Sequence, residues 1–136
     1  MLAAVVDTNV LVSGLMRPGS WPALVLQDIV LQRLQPVVCD AVMSEYRDVL
    51  LRPRLRLPAR DVDTMLALMA SMANWVQVPD YTGALDLPDP ADWPFMACAL
   101  AVGCPVITGN LKHFPAEVGV KVMSAREWAG PSPAAG

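Results

Sequence analysis

Short apolar runs alternate with segments of helical spacing along the chain. Runs rich in β-branched residues predict buried strands, at 2–6, 36–39, 75–78, 105–110 and 120–123. The segments between them carry apolar residues three or four apart or helix-start signals, which predict helices, at 23–34, 41–51, 61–74, 95–102 and 124–127. This alternation predicts an α/β protein, with three α/β/α layers around a parallel sheet of about five short strands.

Residues that commonly begin or end helices stand at the borders of these segments. Ser20 is a suitable N-cap with Pro22 in the first turn, and Asp40 can cap the helix after the second strand. Gly103 follows an apolar helix, where a left-handed residue often ends the last turn. The stretch SARE, 124–127, has the spacing of a capping box before a final short helix.

Composition points to one domain. The chain has 136 residues, of which 54% are apolar, and its mean hydropathy is +0.41. Its longest apolar region, 95–107, is broken by a glycine and a proline and is shorter than the roughly 18–20 residues of a membrane span. Asp7 ends the first apolar run and no basic residue precedes it, so we expect no signal peptide and a cytoplasmic protein. We expect one domain over 1–128 and a disordered tail over 129–136.

The apolar surplus also bears on partners. Excess apolar surface is typical of proteins that pack against a second chain, and we expect a homodimer. A stripe at helical spacing indicates either core or a partner surface, and consists of Met65, Leu68, Met69 and Met72. The cysteines are odd in number and lack C-x-x-C spacing, which indicates reduced core thiols, and they are Cys39, Cys98 and Cys104.

Charge gives a mixed signal about nucleic acids. The net charge of −3 and a pI of about 4.9 argue against a nucleic-acid-binding protein. Half of the ten Lys and Arg residues, however, lie in one short segment, as Arg47, Arg52, Arg54, Arg56 and Arg60. Such a segment either keeps an exposed arm soluble or contacts phosphates.

A carboxylate closes the first predicted strand. Desolvating an unpaired charge is costly, so Asp7 needs partners. Thr8 and Asn9 can supply hydrogen bonds in a turn or a cap, or a divalent cation can bind there, because hard cations prefer several oxygen ligands. Both interpretations stay open on the spacing of these residues alone.

Further polar residues follow the same edge of the predicted sheet, where open parallel sheets collect their chemistry. Asn110 lies just past the fourth strand, and Asp92 precedes the helix that leads to it. Glu45 lies inside the helix after the second strand, where it is either a solvated surface residue or an inward metal ligand. Lys112 and His113 can steer a phosphate or simply belong to a loop.

Three stretches together resemble PIN-domain ribonucleases, in particular the VapC-like toxin components of bacterial toxin–antitoxin pairs. They are VVDTNVLVSG, then SEYRDVL, then DPADWPFMACALAVGCPVITGNLKHF. The resemblance extends from Met1 to about Trp128, which is nearly the whole chain. It implies a PIN-like fold in which three residues match the acidic metal ligands of the family: Asp7, Glu45 and Asp92.

The resemblance also implies an activity. Members of the family cleave RNA with Mg²⁺ or Mn²⁺, form dimers and are blocked by a cognate antitoxin, so the resemblance implies a metal-dependent endoribonuclease. Supporting positions match Thr8, Asn9, Thr108 and Asn110, where many relatives carry Asp in place of Asn110. A bound cation activates water and shields phosphate charge, so no histidine base is required. RNA phosphates are expected to contact Arg52, Arg54, Arg56 and Lys112.

Two other classes of function remain to be distinguished. A catalytically inactive PIN-like binding module would hold a partner without cleaving it, and Asn110 would then mark the loss of a ligand. A receiver-like phosphoacceptor domain also gathers Asp at strand ends with a Thr and a Lys nearby. A Gly-rich phosphate loop and a G-x-S-x-G elbow are both missing from the sequence, which argues against nucleotide-binding and serine-hydrolase classes.

Overall fold

The computed structural model describes residues 2–79, 87–115 and 119–129. Five parallel strands form one sheet in the order β3-β2-β1-β4-β5. The strands are β1 (Leu2–Val6), β2 (Leu34–Val38), β3 (Asn74–Trp75), β4 (Val106–Ile107) and β5 (Val122–Met123). The predicted parallel sheet of five short strands is therefore confirmed, although β3 and β4 are shorter than the apolar runs that predict them.

Helices flank this sheet and complete the predicted three-layer α/β/α fold. They are α1 (Thr8–Met16), α2 (Trp21–Val30), α3 (Asp40–Leu50), α4 (Ala59–Met72), α5 (Trp93–Val102) and α6 (Ala125–Ala129). Three short 3-10 turns interrupt the connections, at Pro53–Leu55, Pro90–Asp92 and Leu111–His113. No helix in the described ranges has the length and apolarity to cross a bilayer.

The first helix is the main departure from the sequence prediction. Residues 8–16 form α1 directly after β1, whereas the apolar residues at 10–12 gave no helical signal. Asp7 is the N-cap of α1, and its side chain accepts a hydrogen bond from the backbone N–H of Thr8. A glycine lets α1 approach α2 closely, because a Cβ on Gly14 would lie 2.6 Å from the Leu26 side chain.

The order of the strands places a topological switch point beside β1. β1 pairs with β2 on one side through Ala4 and Pro36, and with β4 on the other through Val6 and Ile107. Ligand sites in open α/β sheets form at the carboxyl ends of strands at such a point. Receiver-like domains have the order 2-1-3-4-5, so the observed order contradicts the phosphoacceptor alternative.

The core lies on both sides of β1 and β2. α5 packs on both strands, and its residues from Pro94 to Ala99 are buried. The Tyr46 ring from α3 is fully buried 6.1 Å from the Phe95 ring, and its hydroxyl donates to the carbonyl of Val6. This contact fixes α3 against the end of β1.

The apolar stripe of α4 belongs mainly to this core. Met69 is fully buried, and Met65 and Met72 pack half-buried against it. The stripe is therefore accounted for within one chain, and the predicted homodimer draws no support from it. The three cysteines are free and buried, in agreement with the prediction.

Most residues predicted to begin or end a helix do so, although the helix predicted over 23–34 ends at Val30 and Leu34 begins β2. Ser20 caps α2 through the Ala23 N–H, and Ser124 and Glu127 exchange the two hydrogen bonds of a capping box at 3.0 Å each. Gly103 ends α5 with φ 76°. Asp40 is instead the first residue of α3, without a capping hydrogen bond from its side chain. The tail predicted over 129–136 begins at the end of α6, and residues 130–136 lie outside the described part.

Candidate active site

A buried carboxylate lies at the carboxyl end of the central strand. Asp7 is 7% exposed, and its backbone N–H continues the ladder to Ile107 of β4. Its Oδ1 accepts the N–H of Thr8 at 2.8 Å, and its Oδ2 accepts the hydroxyl of Thr108 at 2.7 Å. Residues that follow β1 and β4 thus hold both oxygens of one carboxylate.

Burial controls the ionisation of this carboxylate. Loss of solvent raises the pKa of Asp7, and the hydrogen bonds from Thr108 and Thr8 and the nearby His113 lower it in part. The net direction is upward. A carboxyl group kept in this environment gains from a cation, because a cation favours its charged form.

The residues after β4 form a second layer of contacts around Asp7. Thr108 is fully buried, and its hydroxyl also accepts the backbone N–H of Asn110 at 3.0 Å. Asn9 reaches across from α1 and accepts the N–H of Gly109 through Oδ1 at 3.1 Å. The T-G-N stretch is therefore hydrogen-bonded to the D-T-N stretch although about a hundred residues separate them.

A second carboxylate joins the site through a histidine. Asp92, at the end of the 3-10 turn before α5, places Oδ2 3.1 Å from Nδ1 of His113. Nε2 of the same ring lies 2.9 Å from Nδ2 of Asn110. The ring therefore links Asp92 to Asn110, and the amide N–H of Asn110 donates to Nε2 when Nδ1 carries the proton.

The pKa of Asp92 is also shifted. Burial raises the pKa of Asp92 to about 6, with further upward contributions from the charges of Asp7 and Asp89, while His113 lowers it. Two acidic groups with raised pKa values at one sheet edge are typical of a site that functions with a cation present.

The geometry fits a divalent metal. Single ligand atoms of Asp89, Asp92 and His113 lie within 4.8 Å of one another, and of the three predicted ligands only Asp92 belongs to this group. The hydroxyl of Thr8 is buried without a hydrogen-bond partner in the described part of the chain, and the buried Oδ2 of Asp92 has the His113 ring beside it at 3.1 Å. Buried oxygen atoms of this kind, at the edge of a buried carboxylate, are suited to a hard cation such as Mg²⁺ or Mn²⁺.

Glu45 is not brought into these contacts. It lies on α3 one residue before the buried Tyr46, and its side chain is exposed. The described residues show no hydrogen bond or ion pair to its carboxylate. The structure thus leaves both interpretations of Glu45 open, as a solvated residue or as a ligand that turns inward when a cation binds.

The predicted RNA contacts lie on the surface. Arg52, Arg54 and Arg56 are exposed around the 3-10 turn that follows α3, and Arg52 pairs with Asp48 at 3.4 Å. Lys112 is exposed in the turn that also carries His113. These positions are accessible to a substrate, and their role stays a prediction.

The sequence analysis does not place Asp89 in the site, and it treats His113 only as a residue that can steer a phosphate or belong to a loop. Each lies three residues from a predicted site residue, in D-P-A-D before Asp92 and in N-L-K-H after Asn110. Side chains that are three residues apart lie on the same side of a 3-10 turn. Both stretches include such a turn. This spacing is the signal that would have identified them.

A comparison with known protein families identifies the family of this chain. A family model described as PIN domain matches residues 3–112. The chain belongs to the PIN domain family. The match includes Asp7, Asp92, Thr108 and Asn110 and ends one residue before His113.

Solved structures share the fold of this PIN domain. One is the structure of FitAB bound to the IR36 DNA fragment, with 17% identity, a TM-score of 0.62, and coverage of 92% of this chain and 95% of that chain. Another is the crystal structure of FitAcB from Neisseria gonorrhoeae, with 21% identity, a TM-score of 0.59, and coverage of 92% and 98%. At this identity the likeness concerns the fold. No curated protein matches the chain.

Proposed function

We propose that this PIN domain is a metal-dependent endoribonuclease and the toxin component of a toxin–antitoxin pair. The observation that carries the proposal is the chain of hydrogen bonds and close contacts that joins Asp7 to Asp92 at one edge of the sheet, through Thr108, Asn110 and His113. Two carboxylates gathered in a partly buried place are suited to a cation, because a cation favours their charged forms.

Mg²⁺ or Mn²⁺ would be held by Asp7, Glu45 and Asp92. When bound, such an ion activates water and neutralises charge on a phosphodiester. Thr8, Asn9, Thr108 and Asn110 position these ligands, because their hydrogen bonds fix the carboxylate of Asp7 and the backbone around it. Glu45 completes the set in this proposal, although the structure shows its side chain exposed.

His113 has a defined part in this site. Its Nδ1 lies 3.1 Å from Oδ2 of Asp92, and its Nε2 lies 2.9 Å from the side-chain amide nitrogen of Asn110. The described site contains no other histidine, since the chain has one. We assign to His113 the orientation of Asp92 rather than proton abstraction.

The biological setting is part of the same proposal. The resemblance to VapC-like toxins supports a cognate antitoxin and a homodimer, and we propose a cytoplasmic location. Light scattering at micromolar concentration tests the homodimer, and a monomeric mass contradicts it.

Incubation of the purified protein with mixed RNA tests the enzyme. We expect cleavage with Mg²⁺ or Mn²⁺ and none in EDTA. Asp7→Asn should be inactive, while Asp61→Asn, which changes an exposed residue of α4, should cleave as the wild type does. Cleavage in EDTA, or equal cleavage by a folded Asp7→Asn preparation, contradicts the proposal. A wild-type protein that never cleaves favours the inactive binding module.

A further inference from the structure

A cleft of 640 Å³ opens next to the candidate active site. The start of α3, the residues after β3 and the start of α5 line it, and it includes Trp75 and Trp93. Its volume falls within the roughly 300–1,000 Å³ of small-molecule pockets. The PIN-domain site described above does not use this cleft.

Trp75 presents an exposed indole ring on the edge strand β3. Its side chain is 46% exposed although it is among the largest apolar groups of the chain. Its Nε1 donates to the carbonyl of Ala70 at 2.9 Å, which satisfies the polar atom of the ring. A ring whose polar atom is already bonded, and which lies open to solvent in a cleft, is suited to stacking.

Trp93 connects the cleft to the site. It is the first residue of α5 and directly follows Asp92. Its side chain is half-buried and lines the same cleft as Trp75. The cleft therefore includes the residue that directly follows Asp92, which we propose as a metal ligand.

The polar groups that line the cleft are better suited to the base of a nucleotide than to its phosphate. Asp40 and Gln77 line it, and both are exposed. None of the described residues that line the cleft is a Lys, Arg or His, so they offer a phosphate no cation. A carboxylate and an amide instead match the amino and carbonyl groups on the edge of a base.

We propose that the cleft between Trp75 and Trp93 binds a nucleobase of a single-stranded RNA, beside the scissile phosphate. The base stacks on the indole rings, and Asp40 accepts a hydrogen bond from an exocyclic amino group. Bases with such a group, adenine, cytosine and guanine, are thus preferred over uracil. The inference rests on the proposed nuclease function, since it names the substrate contact of that site.

Binding measurements in EDTA test the subsite without requiring cleavage. Fluorescently labelled oligo(A), oligo(C) and oligo(U) are titrated by anisotropy. Stacking on one aromatic residue accounts for a change in affinity of about 5-fold to 100-fold. Trp75→Ala should therefore weaken oligo(A) binding by at least about 5-fold, whereas Trp75→Phe should retain most of it. Trp128→Phe, a conservative change at α6, is the matched control and should leave binding unchanged.

Asp40→Ala tests the recognition of the base edge. It should reduce binding of oligo(A) and oligo(C) towards the affinity for oligo(U). Equal affinities of wild-type protein for all three oligomers, or no effect of Asp40→Ala, overturn that part of the proposal.

Cleavage assays separate the two proposals. A wild-type enzyme that cleaves RNA, with KM and oligomer affinity unchanged by Trp75→Ala, overturns the subsite and leaves the nuclease function intact. A wild-type protein that cleaves no RNA overturns the nuclease function, and the anisotropy titration still decides whether the cleft binds bases.

Discussion

The hydroxyl of Thr108 donates a 2.7 Å hydrogen bond to Oδ2 of Asp7. The other carboxylate oxygen of Asp7 is held by the N–H of Thr8. The orientation of Asp7 is therefore fixed by the sheet and by α1 before any ligand arrives. Preorganisation of this kind reduces the cost of binding and positioning.

Thr108→Val should lower activity most at acidic pH. The hydrogen bond from Thr108 lowers the pKa of Asp7, so its loss raises that pKa further and protonates the carboxylate over a wider range. The acid limb of the pH–rate profile should move to higher pH. Thr64→Val, at an exposed threonine of α4, is the control and should leave the profile in place. Identical profiles for both variants would show that Thr108 does not tune Asp7.

Asp7→Asn should fold at least as stably as the wild type in EDTA at neutral pH. Burial disfavours the charged form of Asp7, and asparagine removes that charge while keeping a similar shape. We therefore expect the free energy of unfolding to rise, because the buried charge is removed. Urea denaturation measures it. A clear loss of stability would indicate that the ionised side chain is needed to cap α1.

The metal-free protein should lose stability as pH rises from about 4 to about 6. The pKa of Asp92 is about 6 in the folded state, against 3.8 for a free aspartate side chain, so the folded state binds the extra proton in this window. The contribution of Asp92 amounts to at most about 3 kcal/mol. Asp92→Asn should flatten the dependence in urea titrations at several pH values. An equally steep dependence in that variant would assign it to other groups.

Asn110→Asp should tighten metal binding. The change adds a negative charge near the carboxylates, where partly screened attraction to a cation is worth about 1–4 kcal/mol. Asn110→Ala loses only a neutral amide and its contact to His113, so it should cost less activity than Asp7→Ala. Calorimetry with Mg²⁺ or Mn²⁺ measures affinity beside cleavage rates. Unchanged affinity in Asn110→Asp would place residue 110 outside the metal site.

Replacement of Arg52, Arg54 and Arg56 by Gln should weaken RNA binding and reduce its salt dependence. Three lost phosphate contacts on single-stranded RNA lower the slope of log affinity against log salt by about 2. A triple variant of Arg17, Arg33 and Lys121 removes the same number of charges elsewhere and should keep the slope. Equal slopes in the two variants would assign the arginine segment to solubility or to contact with the antitoxin.

The sheet could be predicted from the sequence, but α1 could not. The β-branched runs of the strands are apolar on both faces, which is the mark of a buried parallel strand. The residues at 10–12 are apolar too and follow β1 almost directly, so nothing in their local pattern separates a helix from a second strand. The structure shows that Asp7 is the N-cap of a helix. Capping depends on backbone geometry that the sequence alone does not give.

The arrangement of the candidate site could be anticipated only in part, for a similar reason. Asp7, Asp92, Thr108 and Asn110 stand at strand ends or helix starts, and parallel topology brings such positions to one edge. Asp89 and His113 join them only because two 3-10 turns set their orientation. Glu45, by contrast, is predicted for the site but lies outside its contacts. Helical spacing determines which face of α3 carries Glu45, but it does not determine the rotamer of the side chain.

The pairing of Asp7 with Thr108 also links this site to the order in which the chain is made. β4 and its T-G-N stretch are translated long after β1. Until then the side of β1 that pairs with β4 has no partner strand. A nascent chain that ends before β4 contains the carboxylate but not the hydroxyl that orients it. The complete site therefore forms only late in translation, and premature termination before β4 yields a fragment that lacks it.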